Sequence, residues 1–132
     1  MSRHALFTVQ EFNPHNYPMS PEVADNLDSL LWKMVHARVH YGRSMILTSG
    51  LRSASEQMEF IRTGRSNAPK SKHLIGQACD VADSDRSLAR WVRENEKILE
   101  SIGLWCEDPA CTPGWVHFQG MPPLSGRRLF IP

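Results

Sequence analysis

Three side chains of this sequence are of types that hold a metal ion and stand where a fold can join them: His73, Asp80 and His117. Two imidazoles and one carboxylate make an N2O donor set. Three protein ligands leave a fourth position for water, the arrangement of a catalytic rather than a structural zinc site. With one negative charge among the ligands, the ion stays net positive and can acidify water and polarise a carbonyl. Non-haem iron accepts the same donors. A plainer reading also fits the residue types: His73 as a loop histidine, Asp80 as a turn or cap residue, and His117 as a satisfied core histidine.

The elements around these residues decide whether they can meet. Residues 77–82 read as a strand, where alternation puts Ala78 and Asp80 on one face and Cys79 and Val81 on the other. A charge in so apolar a strand is costly unless it is paired or bound to metal. Gly76 lets the chain turn sharply between His73 and Asp80. Residues 115–119 form another strand, with Trp115, His117 and Gln119 on one face and Val116 and Phe118 on the core-like one. Two adjacent strands would bring Asp80 to His117, and His73 would fold over from its loop.

The remaining chain supplies the scaffold. Residues 1–19 read as irregular. A helix runs from Pro21 to about Tyr41, capped by Ser20 and ended by Gly42, with Val23, Leu27, Leu30, Leu31 and Met34 on its apolar face. A strand over 44–48 and a turn over 49–53 precede a two-turn helix, capped by Ser55, that reaches Arg62. Residues 64–72 are loop-forming in composition. Ser84 would cap a helix closed by Gly103, and 104–106 would form a further strand. The tail from Gly120 is rich in Pro and Gly and carries Arg127 and Arg128. The expected fold is α+β: a small antiparallel sheet with helices packed on one side, in one domain spanning 1–132.

Composition bounds the partners. The chain has 132 residues, with 15 Lys plus Arg against 14 Asp plus Glu, for a net charge of +1. Nucleic-acid modules carry a basic excess that is missing here. No apolar run approaches the ~18 residues of a membrane span, and the N-terminus has no long apolar stretch of the signal-peptide kind. The expectation is therefore a monomer without nucleic-acid or membrane partners, made in the cytoplasm. Cys79, Cys106 and Cys111 cannot all pair. Cys106 and Cys111 flank a turn where a disulfide is conceivable outside the cytoplasm, and a reduced pair is expected otherwise. His36 and His40 share one face of the first helix without a Glu-x-x-His context, so a solvated face is expected there.

The motif Ser71-x-His73-x-x-Gly76-x-Ala78-x-Asp80, followed by Trp115-x-His117, resembles the paired signature of zinc D-Ala-D-Ala carboxypeptidases and L-alanyl-D-glutamate endopeptidases. That group shares its fold with the hedgehog signalling domain. Upstream, Ser49-Gly50-Leu51-Arg52-Ser53, with Gln57 five residues after Arg52, also matches. The blocks occur in family order over residues 49–119. The closing stretches 112–119 and 123–132 are similar to single-domain phage-encoded members.

The resemblance implies Zn2+ as cofactor, with His73, Asp80 and His117 as its ligands. It implies that Arg52 meets a substrate carboxylate or the oxyanion, that Ser71 bonds substrate or a ligand, and that Gln57 supports the site. It also implies a peptidoglycan stem peptide as substrate, cut either at a terminal D-Ala or between L-Ala and D-Glu. The general base departs from the family pattern. Members place an acid three residues before the second zinc histidine, or a histidine five before it. Here those positions are Gly114 and Thr112. Glu107 is the expected base, with Asp108 in reserve. The overall expectation is a murein peptidase acting at the cell wall as a phage lysin or virion component, reached through a holin or by packaging. The alternatives are a non-catalytic zinc-stabilised domain of the same fold and a small cytoplasmic dipeptidase.

Overall fold

The computed structural model describes residues 6–66 and 71–132. The first five residues, where the leader expectation begins, and residues 67–70 of the 64–72 loop lie outside the described residues.

The element order is α1 (Val9–Phe12), α2 (Pro21–Tyr41), β1 (Leu47–Ser49), α3 (Ala54–Arg62), a 3-10 turn (Lys72–Ile75), β2 (Ala78–Ala82), α4 (Ser87–Glu94), α5 (Glu96–Ile102), β3 (Trp105–Glu107), a second 3-10 turn (Pro109–Cys111), β4 (Trp115–Gln119) and β5 (Leu129–Phe130). The α2 helix forms for the expected reasons. Ser20 accepts the Val23 N–H, Pro21 occupies the first turn, and Gly42 closes the helix at φ +76°. Two other caps differ from expectation. Ser53, not Ser55, caps α3 by accepting the Glu56 N–H. Ser84 caps nothing; the buried Asp83 carboxylate instead takes the Leu88 and Ala89 N–H groups, 2.9 Å each, at the start of α4. The helix expected over 84–103 also breaks in two at Asn95.

The strands form one five-stranded sheet in the order β1-β2-β4-β3-β5. The first four are antiparallel, as expected, while β5 runs parallel to β3. That fifth strand rises from the Pro- and Gly-rich tail. α1 likewise occupies a segment read as irregular, where Thr8 and Glu11 form a capping box.

Alternation divides the sheet. Cys79, Val81, Cys106, Val116 and Phe118 face a core shared with Leu27, Leu30, Leu31 and Met34 of α2, Leu88 and Val92 of α4, and Leu99 of α5. The opposite face carries one transverse rung. Ser49 pairs with Asp80, Asp80 with His117, and Glu107 with Phe130. The β3–β4 register, Trp105 to Gln119 and Cys106 to Phe118, sets Glu107 beside His117 at its next step. All five strands thus place a residue in one row.

Candidate active site

That row lies in a cleft of about 1160 Å³, lined along the rung by Ser49, Asp80, His117, Glu107 and Phe130. His73 reaches it from the first 3-10 turn. Ser71 caps that turn by accepting the His73 N–H, and Gly76 ends it at φ +75°. The Arg52 N–H donates to the His73 carbonyl at 3.1 Å, which ties the turn to the loop after β1.

His73 Nε2, Asp80 Oδ1 and His117 Nδ1 form a compact triangle. Its edges are 3.2 Å from His73 to Asp80, 3.0 Å from His117 to Asp80, and 3.3 Å between the imidazoles. Donors about 2.0–2.1 Å from a tetrahedral ion stand roughly 3.3 Å from one another. The spacing fits one shared ion.

The outer nitrogen of each imidazole is occupied, which decides what the inner one offers. His73 Nδ1 lies 2.8 Å from the Gly50 carbonyl oxygen, which can only accept, so Nδ1 carries the proton and Nε2 presents its lone pair. Gly50 itself is required by close approach, because a Cβ there would lie 2.2 Å from the Phe12 carbonyl oxygen. His117 Nε2 donates to Gln119 Oε1 at 2.9 Å. Gln119 is oriented in turn by donating from Nε2 to the Met121 carbonyl at 2.9 Å.

Asp80 divides its two oxygens. Oδ1 faces the histidines, while Oδ2 accepts from Arg52 at 2.9 Å. Burial works to raise the carboxyl, but where the imidazoles are protonated on their inner nitrogens as well, the charge of His73 and the hydrogen bonds that His117 and His73 then donate outweigh it and hold Asp80 well below the usual carboxylate range. It is therefore ionised, as a ligand would need to be. Burial lowers His73 more than Asp80 restores it. For His117, burial is overcome by its bond to Asp80, and the imidazole moves upward.

Arg52 is 8% exposed and donates from all three of its nitrogens: Nε to Ser49 at 2.9 Å, one terminal nitrogen to Gln57 at 2.8 Å, and the other to Asp80. Gln57 is buried and passes the chain on to Ser66 at 2.9 Å. Arg52 thus grips the carboxylate of the candidate metal group. Ser71 and Arg52 both line the cleft.

Glu107 also lines the cleft. Burial raises its carboxyl, His117 opposes the rise, and Asp80 adds to it. Asp108 is turned elsewhere, capping the second 3-10 turn through the Ala110 N–H and pairing with Arg93 at 3.7 Å. Cys79 and Cys106 are buried, Cys111 is exposed, and all three are free thiols. His36 and His40 are exposed on α2.

Residue types alone do not reveal three participants. Gln119 has a signal, since it shares the face of His117. Phe60 has a weaker one, lying three residues after Gln57 on α3. The Gly50 carbonyl has none, because a backbone acceptor has no residue type.

Two imidazoles and a carboxylate, beside a carboxyl of raised pKa, are the donor types that metal-assisted hydrolases use. The model of the family Peptidase M15 matches residues 5–117, and the chain belongs to that peptidase family. Among solved structures it is similar to the Serratia marcescens L-Ala D-Glu endopeptidase ChiX, with 23% identity and a TM-score of 0.53 over 86% of this chain and 93% of that one. That likeness supports the α+β fold. No curated protein matches. Among the described residues, no helix is long and apolar enough to cross a membrane.

Proposed function

We propose that the protein is a zinc-dependent murein peptidase that cleaves peptidoglycan stem peptides at the cell wall. The observation that carries the metal assignment is the 3.0–3.3 Å triangle of donor atoms, with both imidazole tautomers fixed from behind. Zinc held by His73 Nε2, Asp80 Oδ1 and His117 Nδ1 would supply Lewis acidity toward a peptide carbonyl and lower the pKa of water. The substrate class rests on the family and on the L-Ala D-Glu endopeptidase activity for which the structural neighbour is named. Both a terminal D-Ala bond and the L-Ala to D-Glu bond belong to that class. The likeness of residues 112–119 and 123–132 to phage-encoded members supports a role as a lysin or virion-associated wall enzyme.

The chain's own residues divide the work. Glu107, next to His117 across the β3–β4 register, takes the proton of the attacking water and returns it to the leaving amine. A carboxyl raised by burial is suited to both transfers. Arg52 holds Asp80 in its ligating orientation through Oδ2. Gly50 and Gln119 keep the imidazole lone pairs aimed inward. Phe130 stands edge-on to His117, with ring centroids 6.2 Å apart, and closes the β5 side of the cleft.

Glu107→Gln tests the assignment of the base. Zinc should remain bound at one equivalent, while turnover of a synthetic stem peptide should fall by about 10²–10⁴-fold. Turnover close to wild type would remove Glu107 from the role.

A further inference from the structure

Arg52, expected to meet a substrate carboxylate or the oxyanion, commits one N–H of each of its three nitrogens to a protein oxygen, which leaves two of its five N–H groups. A second cation stands next to it. The Phe60 ring on α3 lines the cleft and carries two guanidinium groups, with Arg52 Cζ 4.1 Å and Arg65 Cζ 4.2 Å from its centroid. Arg65 lines the cleft as well. Its backbone is anchored, since the Arg65 and Ser66 N–H groups both donate to the Phe60 carbonyl, at 2.8 and 3.1 Å. Its guanidinium pairs with no Asp or Glu among the described residues.

Two like charges sharing one aromatic ring repel each other, a cost that the stack on Phe60 and the Arg52–Asp80 pair oppose. An anion arriving at Arg65 would relieve it. The cleft also has a charge polarity along the rung. Arg52, on the loop between β1 and α3 and bonded to Ser49, and Arg65, just after α3, lie toward the β1 and α3 side, and Glu107 lies beyond His117 on β3. A peptide carboxylate is repelled from the Glu107 end and attracted to the α3 end. A guanidinium placed over an aromatic ring keeps its planar fork of donors for bidentate carboxylate binding.

We propose that Arg65, stacked on Phe60, is the receptor for a free carboxylate of the peptide substrate and fixes which way the peptide lies across the His73–Asp80–His117 site. This rests on the peptidase reading above. Arg65 then determines specificity: it selects acidic peptides over their neutral amides and takes no part in bond breaking.

The test compares an alanyl-glutamyl stem peptide bearing a free α-carboxylate with the same peptide carrying an α-amide. Wild-type, Arg65→Met and Arg65→Lys proteins are assayed, each with zinc content measured. For Arg65→Met, kcat/KM on the acidic peptide should fall about ten- to a hundredfold, through KM, the effect of losing a hydrogen bond to a charged group. The amide peptide should be cut equally by wild type and variant, and Arg65→Lys should recover part of the loss. Calorimetry on the Glu107→Gln protein should show tighter binding of the acidic peptide than of the amide. An equal loss on both peptides, or none on either, would overturn the role of Arg65 and leave the peptidase reading standing. If zinc-loaded wild type neither binds nor cuts either peptide, both are overturned.

Discussion

Gln119 and Glu107 show how one side chain can set the behaviour of another. Gln119 touches no proposed substrate atom, yet it accepts from His117 and is locked by Met121. Gln119→Met preserves length and removes the acceptor, so the imidazole is no longer held in one tautomer. Zinc affinity, read by competition with a chromophoric chelator, should fall about ten- to a hundredfold, while Gln119→Glu, which keeps an acceptor, should bind tightly. Unchanged affinity in Gln119→Met would contradict the orienting role. Glu107 carries the opposite kind of burden. Burial raises its carboxyl in the folded protein, so the fold binds that proton more tightly than the unfolded chain does. By linkage, stability is lost as pH rises through the raised value. Metal-free Glu107→Gln should therefore melt higher than metal-free wild type at neutral pH, and the gap should close below about pH 4, where the unfolded carboxyl is also protonated. A gap of the reverse sign would show that Glu107 is stabilised, not strained, where it sits.

The elements are legible where local chemistry decides them. Ser20, Pro21 and Gly42 bound α2, and the alternation of Val116 and Phe118 with His117 and Gln119 marks β4. They are illegible where distant partners decide them. The two-residue β5 exists because the Cys106 and Asp108 N–H groups donate to the Arg128 and Phe130 carbonyls, at 2.9 and 2.7 Å, and nothing in a Pro- and Gly-rich tail announces that pairing. The cap of α4 is hidden for a related reason. A serine is a common cap, but the buried Asp83 reaches two N–H groups from further back. Asp83→Ala should cost about 1–3 kcal/mol in chemical denaturation, through a lost cap and unsatisfied donors, while Ser84→Ala should stay within about 0.5 kcal/mol. The converse ranking would return the cap to Ser84.

Taken whole, the molecule uses the two faces of its sheet differently. One face is sealed against α2, α4 and α5, and the other carries a single row of chemistry from Ser49 to Phe130. The residue types and the strand alternation make His73, Asp80 and His117 candidates in the sequence, since a lone aspartate in an apolar strand demands a partner, and the family resemblance singles them out. The roles of Gly50, Gln119 and Arg65 depend on packing between segments and emerge only in three dimensions. A net charge of +1 is consistent with recognition confined to this row and the cations at its α3 end, without a polyanion-binding surface. The most direct measurement is mass spectrometry of purified stem peptides incubated with zinc-loaded protein, with protein stripped by chelator, and with stripped protein resupplied with zinc. Peptide-bond cleavage is expected in the first sample, lost in the second and restored in the third. Intact peptides with fully loaded protein, or cleavage undiminished after stripping, would contradict it.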